Sequence, residues 1–371
     1  MQLPLGNRQK NLLVLLLRNL YLNVLAKNLK ERLLPFFGKS PLPFKYNFIC
    51  TNKCNSRCKT CNVWKLYSEG KNNSSREISP NEFLRAIDSV KNNVVWLNLT
   101  GGEPLLRQDL KEIVCGCYDL CKNLSLINIP SNGLMPEKEA SVFEEVAAHC
   151  SGAEVFVTLS IDGLGKKHDF VRGVNGAFEK LLESHACLKK VSERHKNFHV
   201  SFQLTVSKFN IDNALEVFDF IQKNSENPIV NFAHELAIFH NENSGIGVQN
   251  YPEETVKVIG EIEKRYKLAN AKSLMPLAYL RHMKKFLLEK KKPVCKSGLS
   301  TVTIDPFGNV LPCPYWQKIL GNLPEYDYDL KRLLDEKRTK KLLDSVEACN
   351  LCWQSCEAYP ALLFDPLKII F

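Results

Sequence analysis

Apolar and polar positions alternate along this chain in short runs set between longer amphipathic stretches. Six runs, Phe44 to Ile49, Val94 to Leu99, Leu124 to Ile129, Val155 to Ile161, His199 to Val206 and Ile229 to His234, have the length and β-branched or aromatic content of strands. Between them, Pro80 to Asn92, Gln108 to Cys121, Glu137 to His149, Phe178 to Glu193 and Asp212 to Asn224 read as crossover helices. Repeats of strand and helix predict an α/β fold built on a parallel sheet. Polar, glycine-containing Asn241 to Asn250 reads as a linker. Two further helical stretches follow, Pro252 to Lys272 and Leu277 to Lys292. A strand-turn-strand pattern, Thr301 to Ile304 and Val310 to Leu311, then surrounds Asp305-Pro306-Phe307-Gly308-Asn309. The pattern divides the chain into residues 1–42, 43–250 and 251–371.

The first of these segments holds an unbroken apolar run, Leu12 to Leu17, which Arg18 ends too early to span a bilayer. Asn19, Asn23, Lys27 and Glu31 then recur every fourth residue, opposite Leu17, Leu20, Val24 and Leu25. Residues 11–34 therefore predict an amphipathic helix, with Arg18, Lys27, Lys30 and Arg32 set against the single Glu31. Such a helix suits peripheral contact with an anionic membrane face, and equally suits packing on the rest of the protein.

At 371 residues the chain is long enough for a barrel-sized core, and its formal charge of +10 names no partner by itself. Its fourteen cysteines lie in tight local clusters within a long, lysine-rich chain, a pattern of reduced, metal-binding thiols rather than secreted disulfides. A reducing cytoplasmic setting is expected. Just after the first predicted strand, Cys54, Cys58 and Cys61 stand as C-x-x-x-C-x-x-C. Three thiolates in one loop can hold three irons of a [4Fe-4S] cube and leave the fourth iron open, whereas structural clusters take four. A zinc site is the competing reading, although zinc favours C-x-x-C pairs closed by a fourth ligand.

This loop resembles the signature of radical S-adenosylmethionine (radical SAM) enzymes, which is carried on a partial (β/α)6 TIM-type barrel. Thr100-Gly101-Gly102-Glu103-Pro104 is similar to the family's motif for the methionine amino group, in which glycines let backbone approach the ligand. Ser131-Asn132-Gly133 and Ser160-Ile161-Asp162-Gly163 are similar to segments lining the nucleoside pocket. His168-Asp169 with Arg172-Gly173 resembles the stretch whose arginine pairs with the methionine carboxylate. The resemblance thus implies S-adenosylmethionine contacts at Gly101, Gly102, Glu103, Asn132, Ser160, Asp162 and Arg172. Each of these motifs falls at the C-terminal end of a predicted strand, where β/α barrels place their functional groups.

In the tail, Cys295 and Cys313 flank Gly308 as C-x12-G-x4-C, and Cys349, Cys352 and Cys356 follow as C-x-x-C-x-x-x-C. This region resembles the SPASM or Twitch extension of radical SAM enzymes, which implies an auxiliary [4Fe-4S] cluster. A full SPASM domain has seven cysteines, so five imply one cluster. Cys295, Cys313 and Cys356 are the leading ligands, with Cys349 or Cys352 as the fourth; a structural zinc ribbon is the alternative. The remaining cysteines, including Cys50, Cys115, Cys117, Cys121, Cys150 and Cys187, read as small hydrophobes.

The resemblance covers about Tyr46 to Cys356. It implies an enzyme of oxidoreductase or transferase type that cleaves S-adenosylmethionine reductively to a 5'-deoxyadenosyl radical and removes a substrate hydrogen. A peptide substrate leads, a membrane or polyprenyl-type lipid follows, and an electron donor such as flavodoxin or ferredoxin is required. A zinc-stabilised nucleic-acid-binding protein is the competing class, but the chain has no interleaved aromatic and basic stripe.

Overall fold

The alternation in the sequence becomes a sheet with two chemically different faces. The structure is a computed structural model describing residues 42–68, 77–225, 228–266, 273–291, 295–316, 318–346 and 348–365; the amphipathic segment 11–34 lies outside these residues. In chain order the first elements are β1 (Lys45–Ile49), α1 (Val63–Ser68), α2 (Pro80–Asp88), β2 (Trp96–Thr100), α3 (Leu110–Leu120), β3 (Leu126–Ser131) and α4 (Pro136–His149). There follow β4 (Glu154–Ser160), α5 (Lys166–Arg172), α6 (Ala177–Arg194), β5 (Phe198–Val206), α7 (Ala214–Asn224) and β6 (Ile229–Phe232). These six strands lie side by side in sequence order and all pair in parallel. The result is an open, partial (β/α)6 barrel.

One face of each strand carries the apolar core. Tyr46, Phe48, Leu97, Leu99, Ile127 and Val157 are fully buried there. Removing such side chains from water is worth roughly 25 cal/mol per Å². Phe48 stacks on Phe83 of α2 with ring centroids 3.9 Å apart. Helix α2 is started by a capping box, in which the Ser79 side chain accepts from the Glu82 N–H while the Glu82 carboxylate accepts from the Ser79 N–H. The opposite face is polar: Asn98, Asn128, Thr158, Gln203, Thr205 and Asn231 line the barrel interior.

The tail, expected as a second unit, is joined to this sheet. After α8 (Pro252–Arg265) and α9 (Leu274–Glu289), strand β7 (Thr301–Ile304) pairs in parallel with β1, and β8 (Asn309–Leu311) and β9 (Gly321–Asn322) extend it antiparallel. Helices α10 (Leu330–Asp335), α11 (Lys337–Asp344) and α12 (Ser355–Phe364) complete the described chain. The junction is polar and buried: Asn47 Nδ2 donates to Thr301 Oγ1 and Thr303 Oγ1, both at 3.2 Å, and to Glu357 Oε1 at 3.3 Å. Among the described residues no helix is long and apolar enough to cross a membrane.

Candidate functional site

The loop that leaves β1 is held from two sides by backbone hydrogen bonds. Gly102 and Glu103 donate to the Thr51 and Lys53 carbonyls at 2.8 and 2.7 Å, while Arg57 and Lys59 donate to the Arg172 and Val171 carbonyls at 3.0 and 2.9 Å. Held this way, the loop has two faces. Cys54, Ser56, Cys58, Thr60 and Cys61 line a cavity of about 380 Å³, while Asn55, Arg57 and Lys59 are exposed outside. Burial, with the neighbouring Cys58 adding to it, pushes the Cys54 and Cys61 thiols up to about 12. Arg172 Nη1 donates to Cys58 Sγ at 3.3 Å. Among the described residues no three cysteine, histidine, aspartate or glutamate side chains are gathered around one ion-sized point.

Gly101 and Gly102 pack against the backbone of the cysteine loop. A Cβ on Gly102 would stand 2.1 Å from the Lys53 carbonyl oxygen, and one on Gly101, at φ 153°, would stand 2.4 Å from that of Thr51. The missing side chains admit the cysteine loop, and both glycines border the cavity.

The other residues named from the sequence meet in the same cavity. Glu103 is 1% exposed, and burial pushes its carboxyl up to about 8. Its oxygens accept from the Asn132 N–H at 2.8 Å and the Leu105 N–H at 3.3 Å. Asn132 Nδ2 donates to Asn55 Oδ1 at 2.6 Å, tying the third-strand motif to the cysteine loop. Asp162 accepts from the Thr205 N–H at 3.1 Å and lies 3.2 Å from Arg172 Nε. That ion pair is poorly angled, because Arg172 Nε and Nη2 remain buried without a hydrogen-bond partner. An orphaned guanidinium donor at a cavity wall fits a ligand carboxylate. Asp162 pairs with Arg172 and borders the cavity, as Ser160 and Gln203 do.

The cavity floor was not legible as such. Lys45, 1% exposed, sits with Nζ 4.4 Å from the Trp96 ring centroid and donates to the Cys356 carbonyl at 2.5 Å. A lysine opening an otherwise strand-like apolar run was the available signal. In the tail, Cys295, Cys313, Cys349 and Cys352 line a separate cavity of about 20 Å³. Cys356, expected among the leading ligands, instead lines the large cavity, because the start of α12 turns its side chain toward the barrel. Of the cysteines read as hydrophobes, Cys50, Cys117, Cys121 and Cys150 are buried; Cys115 and Cys187 are partly exposed.

A loop of three thiols sharing one cavity with a buried carboxyl and a guanidinium that keeps unsatisfied donors matches a known pattern. Residues 48–221 match the model of the Radical SAM superfamily. The segment from residue 48 to residue 221 is a radical SAM domain. The radical SAM family uses a [4Fe-4S] cluster and S-adenosylmethionine as its cofactors. The chain is 24% identical over 302 residues to the antilisterial bacteriocin subtilosin biosynthesis protein AlbA of Bacillus subtilis, covering 78% of this chain and 59% of AlbA. It is 31% identical over 181 residues to the sporulation killing factor maturation protein SkfB of the same organism, covering 48% of this chain and 40% of SkfB. Among solved structures, Streptococcus suis SuiB bound to precursor peptide SuiA shares the radical SAM fold at a TM-score of 0.57 and 16% identity, over 84% of this chain and 69% of SuiB. The chain thus spans less than two thirds of the two curated relatives.

Proposed function

We propose that this radical SAM protein modifies a peptide, with Cys54, Cys58 and Cys61 holding the [4Fe-4S] cluster and S-adenosylmethionine occupying the cavity in front of them. The observation that carries this is the convergence of the three thiols, Glu103 and the unpaired Arg172 donor on one 380 Å³ space. When bound, cluster and S-adenosylmethionine together supply a 5'-deoxyadenosyl radical that takes a hydrogen atom from the substrate. The chain's own residues bind and orient. Arg172 offers Nη2 to the methionine carboxylate, Glu103 offers a carboxyl to the amino group, and Ser160 and Gln203 border the nucleoside side of the space. The amide-rich interior formed by Asn98, Asn128 and Asn231 presents donors and acceptors suited to peptide groups. AlbA, SkfB and SuiB carry biosynthesis, maturation or precursor-peptide names, which supports a peptide over a lipid. The lipid reading rests on residues 11–34, outside the described structure. Tail thiols hold a second cluster in this reading, a protein electron carrier such as flavodoxin or ferredoxin supplies the electron, and a reducing cytoplasmic compartment keeps the thiols free.

Purified and reconstituted without oxygen, the protein is expected to be brown, to carry about eight irons for two [4Fe-4S] clusters, and to form 5'-deoxyadenosine under reduction. The Cys54→Ala/Cys58→Ala/Cys61→Ala variant should form none; intact cleavage in that variant would overturn the assignment. Mass spectrometry of candidate precursor peptides after incubation tests the substrate class.

A further inference from the structure

Four of the five tail cysteines face one chamber and the fifth faces another, a division that bears on the second cluster proposed above and rests on that reading. Cys295 precedes β7, Cys313 follows β8, and Cys349 and Cys352 lie between α11 and α12, yet all four border the 20 Å³ cavity. Cys356 does not border it, whereas its neighbour Glu357 does. Successive side chains on a helix stand about 100° apart, which lets the first turn of α12 present these two neighbours to different cavities. Glu357 accepts from Ser297 Oγ at 2.7 Å and from Asn47 Nδ2 at 3.3 Å. Cys356 Sγ lies 2.8 Å from Tyr315 Oη and opens on the cavity shared with Cys54, Cys58 and Cys61. The backbone here is pinned, since the Cys356 carbonyl accepts from buried Lys45. The backbone that carries the Cys356 thiol is thus fixed by Lys45, and Glu357 beside it is fixed by Ser297 and Asn47.

We infer that the tail binds its cluster through Cys295, Cys313, Cys349 and Cys352, and that Cys356 is a thiol of the active cavity, presented to substrate rather than to metal. Four thiolates complete a [4Fe-4S] cube, which leaves no coordination site for a fifth. Tyr315 borders both cavities and forms the partition between them.

The test uses the full chain with Cys54, Cys58 and Cys61 replaced by alanine, so that iron, sulfide and visible absorption report the tail alone. About four irons per chain are expected to remain. Adding Cys349→Ala or Cys352→Ala, each of which removes one ligand of the cube, should lower the iron retained per chain; adding Cys356→Ala should leave about four. Loss of iron with Cys356→Ala but not with Cys349→Ala overturns the ligand set. Should the Cys356 variants fold poorly, thiol mapping decides on the unmodified, metal-loaded protein. A small methanethiosulfonate reagent is expected to modify Cys356 while sparing the other four tail cysteines, and protection of Cys356 together with modification of Cys349 or Cys352 overturns the inference. A background chain with zinc, or with no metal and all five tail thiols modified, instead refutes the second-cluster reading itself.

Discussion

His168 is fully buried and its Nδ1 accepts from the Asp162 N–H at 3.2 Å, a bond only the neutral ring provides. Burial, with the Arg172 cation adding to it, pushes its pKa down to about 3. The folded value lies below the unfolded one, so the stabilisation is present above about pH 6.5 and is lost as pH falls toward 3, by up to about 1.4 kcal/mol per pH unit. His185, pushed down to about 4 by burial, acts in the same direction. Urea titrations between pH 7 and pH 5 should therefore show stability falling with acid, and His168→Gln should shrink that slope; an unchanged slope would place the effect elsewhere. Gly102 makes a second prediction. Its added Cβ would meet the Lys53 carbonyl, so Gly102→Ala is expected to lower iron at the first cluster, read as iron per chain, rather than to weaken S-adenosylmethionine binding alone. The glycine pair was visible in the sequence; its neighbour was not, because local sequence does not say which backbone lies behind a turn.

Among the elements, the six strands were legible because buried apolar residues alternate with polar lumen residues at a period of two. Five short helices, α1, α5, α10, α11 and α12, were not, and two of these bear on the site. Helix α5 is only seven residues long and sits between Gly165 and Gly173, so its pattern cannot build a period. Helix α12 is buried nearly all round and contains Pro360, which removes both the amphipathic signal and the usual helix propensity. Both matter for the site, since α5 carries His168 and Arg172 and α12 carries Cys356. Helix α5 ends at Gly173, at φ 67°, and a Cβ there would stand 2.3 Å from the Arg57 carbonyl oxygen. Gly173→Ala should consequently both destabilise the fold in urea titrations and reduce iron loading, whereas a loss of stability with full iron would show that the loop accommodates the shift.

At the level of the whole molecule, the sequence division near residue 250 is crossed by the sheet itself. β1 has β2 on one side and β7 on the other, and all five of its residues are buried. A chain ending at residue 290 would bare that edge, and it is expected to elute as aggregate in size-exclusion chromatography; a monomeric barrel would show that the tail is dispensable for folding. Partner strands distant in sequence leave no local signature, which explains why the hairpin was legible and its attachment was not. The polar inner face has a final consequence. Asn128 already spends one donor on Asn98 Oδ1 at 2.8 Å, while Thr158 Oγ1 and Asn231 Oδ1 are buried with no partner among the described residues. Each such unmet group costs about 1–3 kcal/mol, so a guest that mirrors the wall's arrangement of donors and acceptors gains what a merely greasy or bulky one forfeits. Selectivity in this lumen is therefore a matter of pattern matching, and its poorest guests are those that bring nothing to share.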